Sequence, residues 1–462
     1  MAEQYWLERA WLGASSGEQV HDAVLVTVAG GRFTDVRTGV AAVPPDASRL
    51  AGLTLPGLAN CHSHAFHRAL RGRTQRERGT FWTWREQMYA AADRLDPDRY
   101  HGLARAAYEE MAAGGITAVG EFHYLHHDRD GRRYADPNAM GHALVQAARD
   151  AGVRLTLLDT CYLSAGFGAP PEGAQLRYSD GDADRWAHRV TRLHDELAGA
   201  DDVVVGAAIH SVRAVPREQL RPVVAWAESV DAPLHVHLSE QQAENDGCEA
   251  AYGLTPTAVL HQAGALGPRT TAVHATHLTD ADIDLLGDTR TRACFCPTTE
   301  RDLGDGIGPS RRLAEAGAPL TLGSDSHAVI DLFEEMRAVE LDERLASRRR
   351  GHWAAGELLA AATGTGQASL GFPDAGVIAP GARADLVTVD TRTLRTAGTG
   401  ADTGTLVFAA TAADVVHVVS GGRRLDLDRA ATAGRLDDAV RALLDRPAPV
   451  RPPGPTPQET PR

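Results

Sequence analysis

The chain has 462 residues, enough for one large domain with an accessory one, and 43% hydrophobic with 23% charged residues is the balance of a soluble globular protein. A formal net charge of -14 argues against a nucleic-acid binder, and no apolar run reaches the length of a bilayer span. All 47 basic residues are arginine, so chemistry that needs a lysine amine is excluded: Schiff bases, phosphate-loop lysines and metal pairs bridged by a modified lysine.

Residues 1–52 alternate short β-like runs, such as Ala23–Val28, with Gly-Gly and Pro-Pro punctuation, which predicts one part of a small β domain. The start lacks a basic leader followed by an apolar core, and the five cysteines are odd in number and scattered. A cytoplasmic protein without a disulfide framework is therefore expected. From 53 to 371 the rhythm changes. Short β-rich runs recur at Leu53–Ala59, Ile116–Glu121, Val153–Asp159, Val203–His210, Leu234–Glu240, Thr271–His277, Thr291–Pro297 and Ala318–Asp325. Amphipathic stretches such as Asp98–Gly114, Asn138–Gly152 and Arg217–Val230 separate them, and this order predicts an α/β fold, a (β/α)8 TIM barrel. A doubly wound open sheet is the alternative, disfavoured because no Gly-x-Gly-x-x-Gly loop follows the first strand. Residues 372–445 return to turn-and-strand character and are expected to join the N-terminal segment in a small β-sandwich domain. The proline-rich tail, 446–462, is expected to be disordered.

The ends of the β runs carry metal-capable side chains: His64, Glu121 and His123, Asp159, His210, His237 and Glu240, His274 and His277, and Asp325. In a barrel these ends form the face where active sites are built. His62 and His64 stand one residue apart, so on a strand both imidazoles point the same way. His235-Val236-His237 repeats that spacing, with one or both rings facing the mouth. Asp325 closes the eighth run, beside the first strand of a closed barrel. His62, His64, His237 and Asp325 would give three imidazoles, a carboxylate and an open position, the composition of a catalytic zinc site; iron or manganese also occupies such sets. Taken singly, His235 and His237 also read as core residues and Asp325 as a helix cap. Glu240 is placed to move a proton, or to sit as a first-turn carboxylate on the helix dipole; His274 is placed to hold the attacking hydroxide or to stabilise developing charge. Cys294-x-Cys296 reads as a buried strand, His126-His127 as loop histidines and Arg348-Arg349-Arg350 as a solvated helix end.

The His-x-His after strand one, the His after strand five and the Asp after strand eight resemble the amidohydrolase superfamily. A fuller set resembles its formimidoylglutamate deiminase branch: His62-Ser63-His64-Ala65-Phe66, Thr80-Phe81-Trp82-Thr83-Trp84-Arg85, Glu121–His127, His210–Val215, His237–Gln241, Val273–Thr279, Cys296–Glu300, Leu303–Gly306 and Gly323–His327. The resemblance implies one zinc ion on His62, His64, His237 and Asp325, with Glu240 as proton shuttle and His274 as partner of the bound water. It implies a substrate glutamate moiety held by His67, Arg85, Tyr124, His210 and Arg213, with His67 standing where the branch commonly has glutamine. Arginine suits carboxylate recognition, although surface salt bridging is the ordinary fate of Arg85 and Arg213, packing that of Tyr124, and capping or burial that of His210. The implied reaction is hydrolytic deamination of N-formimidoyl-L-glutamate to N-formyl-L-glutamate and ammonia, in histidine degradation. The expected partners are a dianionic small molecule and a second copy of the chain in a homodimer, with no nucleic acid and no membrane. The competing readings are a superfamily deaminase acting on a purine, pyrimidine or related ring, and an inactive barrel acting as a binding or assembly protein.

Overall fold

The computed structural model describes residues 2–75 and 81–444; Thr80 and the proline-rich tail lie outside the described residues. Eight parallel strands follow one another in chain order around a single sheet: Leu58–Ser63, Ile116–His123, Arg154–Cys161, Val203–Ile209, Leu234–Leu238, Thr270–His274, Arg292–Phe295 and Leu320–Leu322. A parallel bridge between Ser63 and Asp325 joins the eighth strand's end to the first, so the expected (β/α)8 barrel is present. The strands read as nearly continuous apolar runs because helices cover their outer face. Local signals set the helix bounds. Asp96 accepts from the Arg99 amide and Pro97 opens the helix Pro97–Ala113, while Gly152, at φ 77°, ends Ala139–Ala151.

A second, mixed sheet of seven strands has the order Arg423–Arg424, Val415–Ser420, Leu386–Val389, Ser48–Pro56, Glu3–Trp11, Val20–Ala29, Arg32–Arg37. The N- and C-terminal segments meet where Leu386–Val389 pairs antiparallel with Leu53–Pro56. Period-two alternation gives this sheet two apolar faces. Leu7, Val24, Val26, Leu386 and Val419 fill a core of its own, whereas Leu53, Leu55, Val387 and Val389 join the barrel's core.

The run Leu53–Ala59, expected as one barrel strand, is divided at Gly57. Residues up to Pro56 belong to the small sheet, and the barrel begins at Leu58. The Gly57 amide donates to the Asp385 carbonyl and that of Leu58 to Gly115. A Cβ at residue 57 would lie 2.7 Å from Asp385 Cβ and collide with Thr117, so only glycine lets the chain cross between the sheets there. Cys294 and Cys296 are buried with Cys61 in an apolar cluster, and Arg348–Arg350 is exposed after the helix Leu332–Ser347, both as expected. Among the described residues no helix is long and apolar enough to cross a membrane.

The two sheets are tied by a buried ion pair. Arg154, the first residue of the third barrel strand, donates to Asp385 at 2.6 and 3.0 Å and to Gln367 Oε1 at 3.1 Å, and Asp385 also accepts from the Gly421 amide at 2.8 Å. The side chains are 6% and 1% exposed. Removing one member strands the other charge in a dry interface, so Asp385→Ala is expected to cost about 3–5 kcal/mol. Equilibrium denaturant unfolding checks this, and a loss below about 1 kcal/mol would show that the pair does not hold the junction.

Candidate active site and metal centre

The first strand ends with His62 fully buried and His64 nearly so. His64 Nδ1 lies 2.9 Å from the Phe122 carbonyl, and His237 Nδ1 lies 2.9 Å from that of His210. Each Nδ1 therefore carries the proton, and each Nε2 presents a lone pair. Burial, reinforced by the neighbouring imidazoles, holds His62 and His237 well below the ordinary histidine pKa. Asp325 stays below the usual carboxylate range despite its burial, because His274, His64, His237 and His67 surround it.

The ring nitrogens and the carboxylate face one another. His62 Nε2 is 3.1 Å from His237 Nε2 and 3.3 Å from Asp325 Oδ1, and His64 Nε2 is 3.4 Å from the same oxygen. Ligand bonds of roughly 2.0–2.2 Å in a tetrahedron separate neighbouring donors by about 3.3–3.6 Å. Donors from four side chains at close to this spacing fit a divalent ion. Two overlapping groups, His62–His64–Asp325 and His62–His237–His274, each hold their ligand atoms within 4.8 Å. His235 is in neither group; on the strand it sits two residues below His237, buried in the barrel interior.

Glu240 and His274 adjoin this set. His274 Nε2 lies 3.9 Å from Glu240 Oε1 and 3.8 Å from Asp325 Oδ2, while its Nδ1 is 3.4 Å from Glu300 Oε1. Burial pushes Glu240 above the usual carboxylate pKa, with Asp325 and Glu300 acting in the same sense. Burial alone would lower His274, but Glu240, Glu300 and Asp325 together raise it. Backbone strain gathers here too: Ser239, His274, Ala275, Asp325 and His327 hold φ between 41° and 70°.

A cleft opens above these groups. Ten of the eleven predicted site residues line it: His64, His67, Arg85, Tyr124, His210, Arg213, His237, Glu240, His274 and Asp325; His62 is buried beneath. Arg85 stands on the helix Phe81–Ala92, which also turns Trp84, Met88 and Tyr89 toward the cleft at helical spacing. The Arg85 guanidinium bonds the Tyr89 hydroxyl through Nε at 2.7 Å. Arg213, from the loop after the fourth strand, makes no hydrogen bond or ion pair among the described residues. His67 Nε2 meets the Tyr124 hydroxyl at 2.9 Å.

Other polar strand ends stay out of the cleft. Asp159 turns outward and accepts from Trp186 and Arg189 of the helix Ala183–Glu196; burial would raise it, but Arg189 and the adjacent imidazoles hold it at about 2. His126 and His127, read as loop histidines, are buried in the same outer network, His127 beside Asp180 at 3.1 Å. Glu121 braces the first strand, accepting from Ser63 Oγ and the Ala65 amide at 2.7 Å each, and burial pushes it up to about 7. The sequence reading missed Glu300, Tyr89, Tyr162 and Tyr178. Tyr89 carries a usable signal, four residues after Arg85 on one helix face; Tyr162 lies just past the third strand's end.

A family model described as the amidohydrolase family matches residues 53–425. A formimidoylglutamate deiminase from Pseudomonas aeruginosa is 39% identical over 376 residues, spanning 78% of this chain and 82% of that one. The crystal structure of an amidohydrolase from Brucella melitensis, 32% identical, superposes with a TM-score of 0.87 over 96% of this chain and 100% of its own. An adenosine deaminase from Xanthomonas campestris, solved with bound zinc, shares the fold at 24% identity, with a TM-score of 0.83 over 96% and 98% of the two chains. A barrel with this donor arrangement, matched along most of its length and over the whole of a solved relative, belongs to the amidohydrolase family.

Proposed function

We propose that this chain hydrolyses N-formimidoyl-L-glutamate to N-formyl-L-glutamate and ammonia, with one zinc ion on His62, His64, His237 and Asp325. The observation that carries the reading is the meeting, in one cleft, of that donor set with two arginines, Arg85 and Arg213, in a chain of net charge -14. Local guanidinium groups give an acidic protein a means of binding a dicarboxylate. The 39% identity to a formimidoylglutamate deiminase supports the same substrate.

A zinc ion held there lowers the pKa of water to about 7 and so supplies a nucleophile at neutral pH. Glu240 takes one proton of the attacking water and delivers it to the imino nitrogen, then carries the remaining hydroxyl proton of the tetrahedral adduct to the same nitrogen. The C–N bond to that nitrogen breaks, ammonia departs, and the formyl C=O remains on glutamate. His274, fixed through Nδ1 by Glu300, directs Nε2 at the charge that develops on the attacked amidine. Arg213 and Arg85 bind the carboxylates, and His67, Tyr124 and His210, which line the same cleft, hold the rest of the glutamate moiety. All five cysteines are buried free thiols, which suits a reducing compartment, and a cytoplasmic location belongs to the same proposal.

Metal-replete protein given N-formimidoyl-L-glutamate is expected to release ammonia and N-formyl-L-glutamate in equal amounts, with one zinc per chain by elemental analysis. Formamide with glutamate would mean that a different bond is cut, and no turnover would retire the assignment. Glu240→Gln is expected to keep its zinc yet lose more than the ~10²–10⁴ typical of removing an acid–base group, because one carboxylate serves both proton transfers. Activity within tenfold of the parent would refute the shuttle. Arg213→Met is expected to raise KM by about tenfold to a hundredfold, the value of a charge-assisted bond. A ring deaminase, which stacks its substrate on aromatic groups, would tolerate that change.

A further inference from the structure

A buried amide behind the cleft fixes the polarity of two tyrosines that the proposed mechanism does not use. Gln175 is 5% exposed and lies in the short helical segment Gly173–Arg177. Its Oε1 accepts from the Glu172 amide at 3.0 Å, which settles which end of the side chain is oxygen. Nε2 then faces two phenols, the Tyr89 Oη at 3.0 Å and the Tyr162 Oη at 2.9 Å. An amide NH2 can only donate, so both hydroxyl oxygens are acceptors in these bonds. Tyr89 Oη also accepts from Arg85 Nε, another group that can only donate.

Each phenol keeps one proton of its own, and among the described residues neither has an acceptor for it. Both rings line the cleft. Burial, ahead of the nearby Tyr89, pushes Tyr162 up to about 12, so its proton is retained at neutral pH. We propose that Gln175 is a positioning residue that turns the hydroxyl protons of Tyr89 and Tyr162 into the cleft, where they donate to a carboxylate of the substrate beside Arg85. The proposal rests on the dicarboxylate reading above and adds the residues that select it. A carboxylate meets both protons with two charged oxygens, whereas a neutral amide at the same place has one uncharged acceptor oxygen and an NH2 that can only donate. The same chain joins the two sides of the cleft, since the Tyr162 ring stands edge-on to His210 with centroids 4.7 Å apart.

The test compares Tyr89→Phe, Tyr162→Phe, the double variant, and Gln175→Glu alone and in the double-Phe background. Each Tyr→Phe change should raise KM for N-formimidoyl-L-glutamate about tenfold, the loss of one bond to a charged group, with kcat within about threefold. Of the α- and γ-carboxamide analogues of that substrate, the one that removes the carboxylate beside Arg85 should show no such rise, and a full rise with both would overturn the proposal. Gln175→Glu presents an acceptor to both phenols and turns their protons away from the cleft. It should raise KM in the parent but not further in the double-Phe background, with zinc content unchanged. A rise of equal size in both backgrounds would assign the effect to the added charge and overturn the proposal, as would Tyr→Phe variants with parental KM. If the parent chain fails to turn over N-formimidoyl-L-glutamate, the function reading falls alone. The hydroxyl assignment is then read from glutarate binding by calorimetry: Kd weakened about tenfold by each Tyr→Phe change sustains it, while an unchanged Kd, or no binding by the parent, overturns it.

Discussion

Closure of the barrel between its first and eighth strands is the constraint on which the site depends. The eighth strand is only Leu320–Leu322, and beyond it the two strands share a single bridge. The amides of Ser324 and Asp325 both donate to the His62 carbonyl, at 3.1 and 2.9 Å, and the His64 amide donates to the Asp325 carbonyl at 3.2 Å. Asn60 supplies what the short ladder lacks, accepting from the Ser324 amide at 2.9 Å and donating to Ser324 Oγ at 2.7 Å. Gly323 permits this approach: a Cβ there would lie 2.7 Å from His62 Cβ and 2.9 Å from Cys296 Sγ. The bonds that shut the barrel are therefore the bonds that set an aspartate against two histidines. Fold and donor set cannot be perturbed independently at this seam.

The same seam concentrates unfavourable terms. Buried imidazole nitrogens crowd a buried carboxylate, and five non-glycine residues near them hold left-handed backbone. Such features persist only where the surroundings over-determine them. Here the surroundings are the fully buried Glu121, Ser63, Ser324 and His327, whose polar atoms bond one another at 2.7–3.2 Å behind the strand ends. A divalent ion would bind these atoms directly, which would give a bound metal a part in stability.

Much of this was legible in the sequence, for reasons that differ by element. The barrel was legible because parallel strands buried on both faces must be apolar throughout, and the helices between them carry caps such as Asp96 and Gly152. The donors were legible because period two and strand-end position together limit where a side chain can point. The same logic failed for Asp159. It also ends a strand, but its phase sends it to the helix layer, where Arg189 takes both carboxylate oxygens. Which phase the strand takes is set by partners across the fold, here Arg189 on the helix Ala183–Glu196, and not by the residues beside Asp159. The crossing at Gly57 was hidden for a related reason. An apolar run continues unbroken through Leu53–Leu58, and the steric reason for a break lies in Thr117 and Asp385, far along the chain.

The cleft joins two kinds of group that composition keeps apart. Without lysine, every permanently charged basic side chain is a planar guanidinium that can donate but never accept, and never loses its proton in the working range. Placed beside phenols and a buried amide, such a group imposes direction on the hydrogen bonds around it, because each hydroxyl it meets must spend a lone pair and aim its proton elsewhere. Arg85, Tyr89, Gln175 and Tyr162 form a run of this kind. Net negative charge then becomes compatible with anion binding, since what a carboxylate meets is the local orientation of donors rather than the sum over the chain. On the proposed reading, selectivity for an anion in this acidic barrel would follow from the donor-only character of its arginines and from the amide that occupies the lone pairs of the neighbouring hydroxyls.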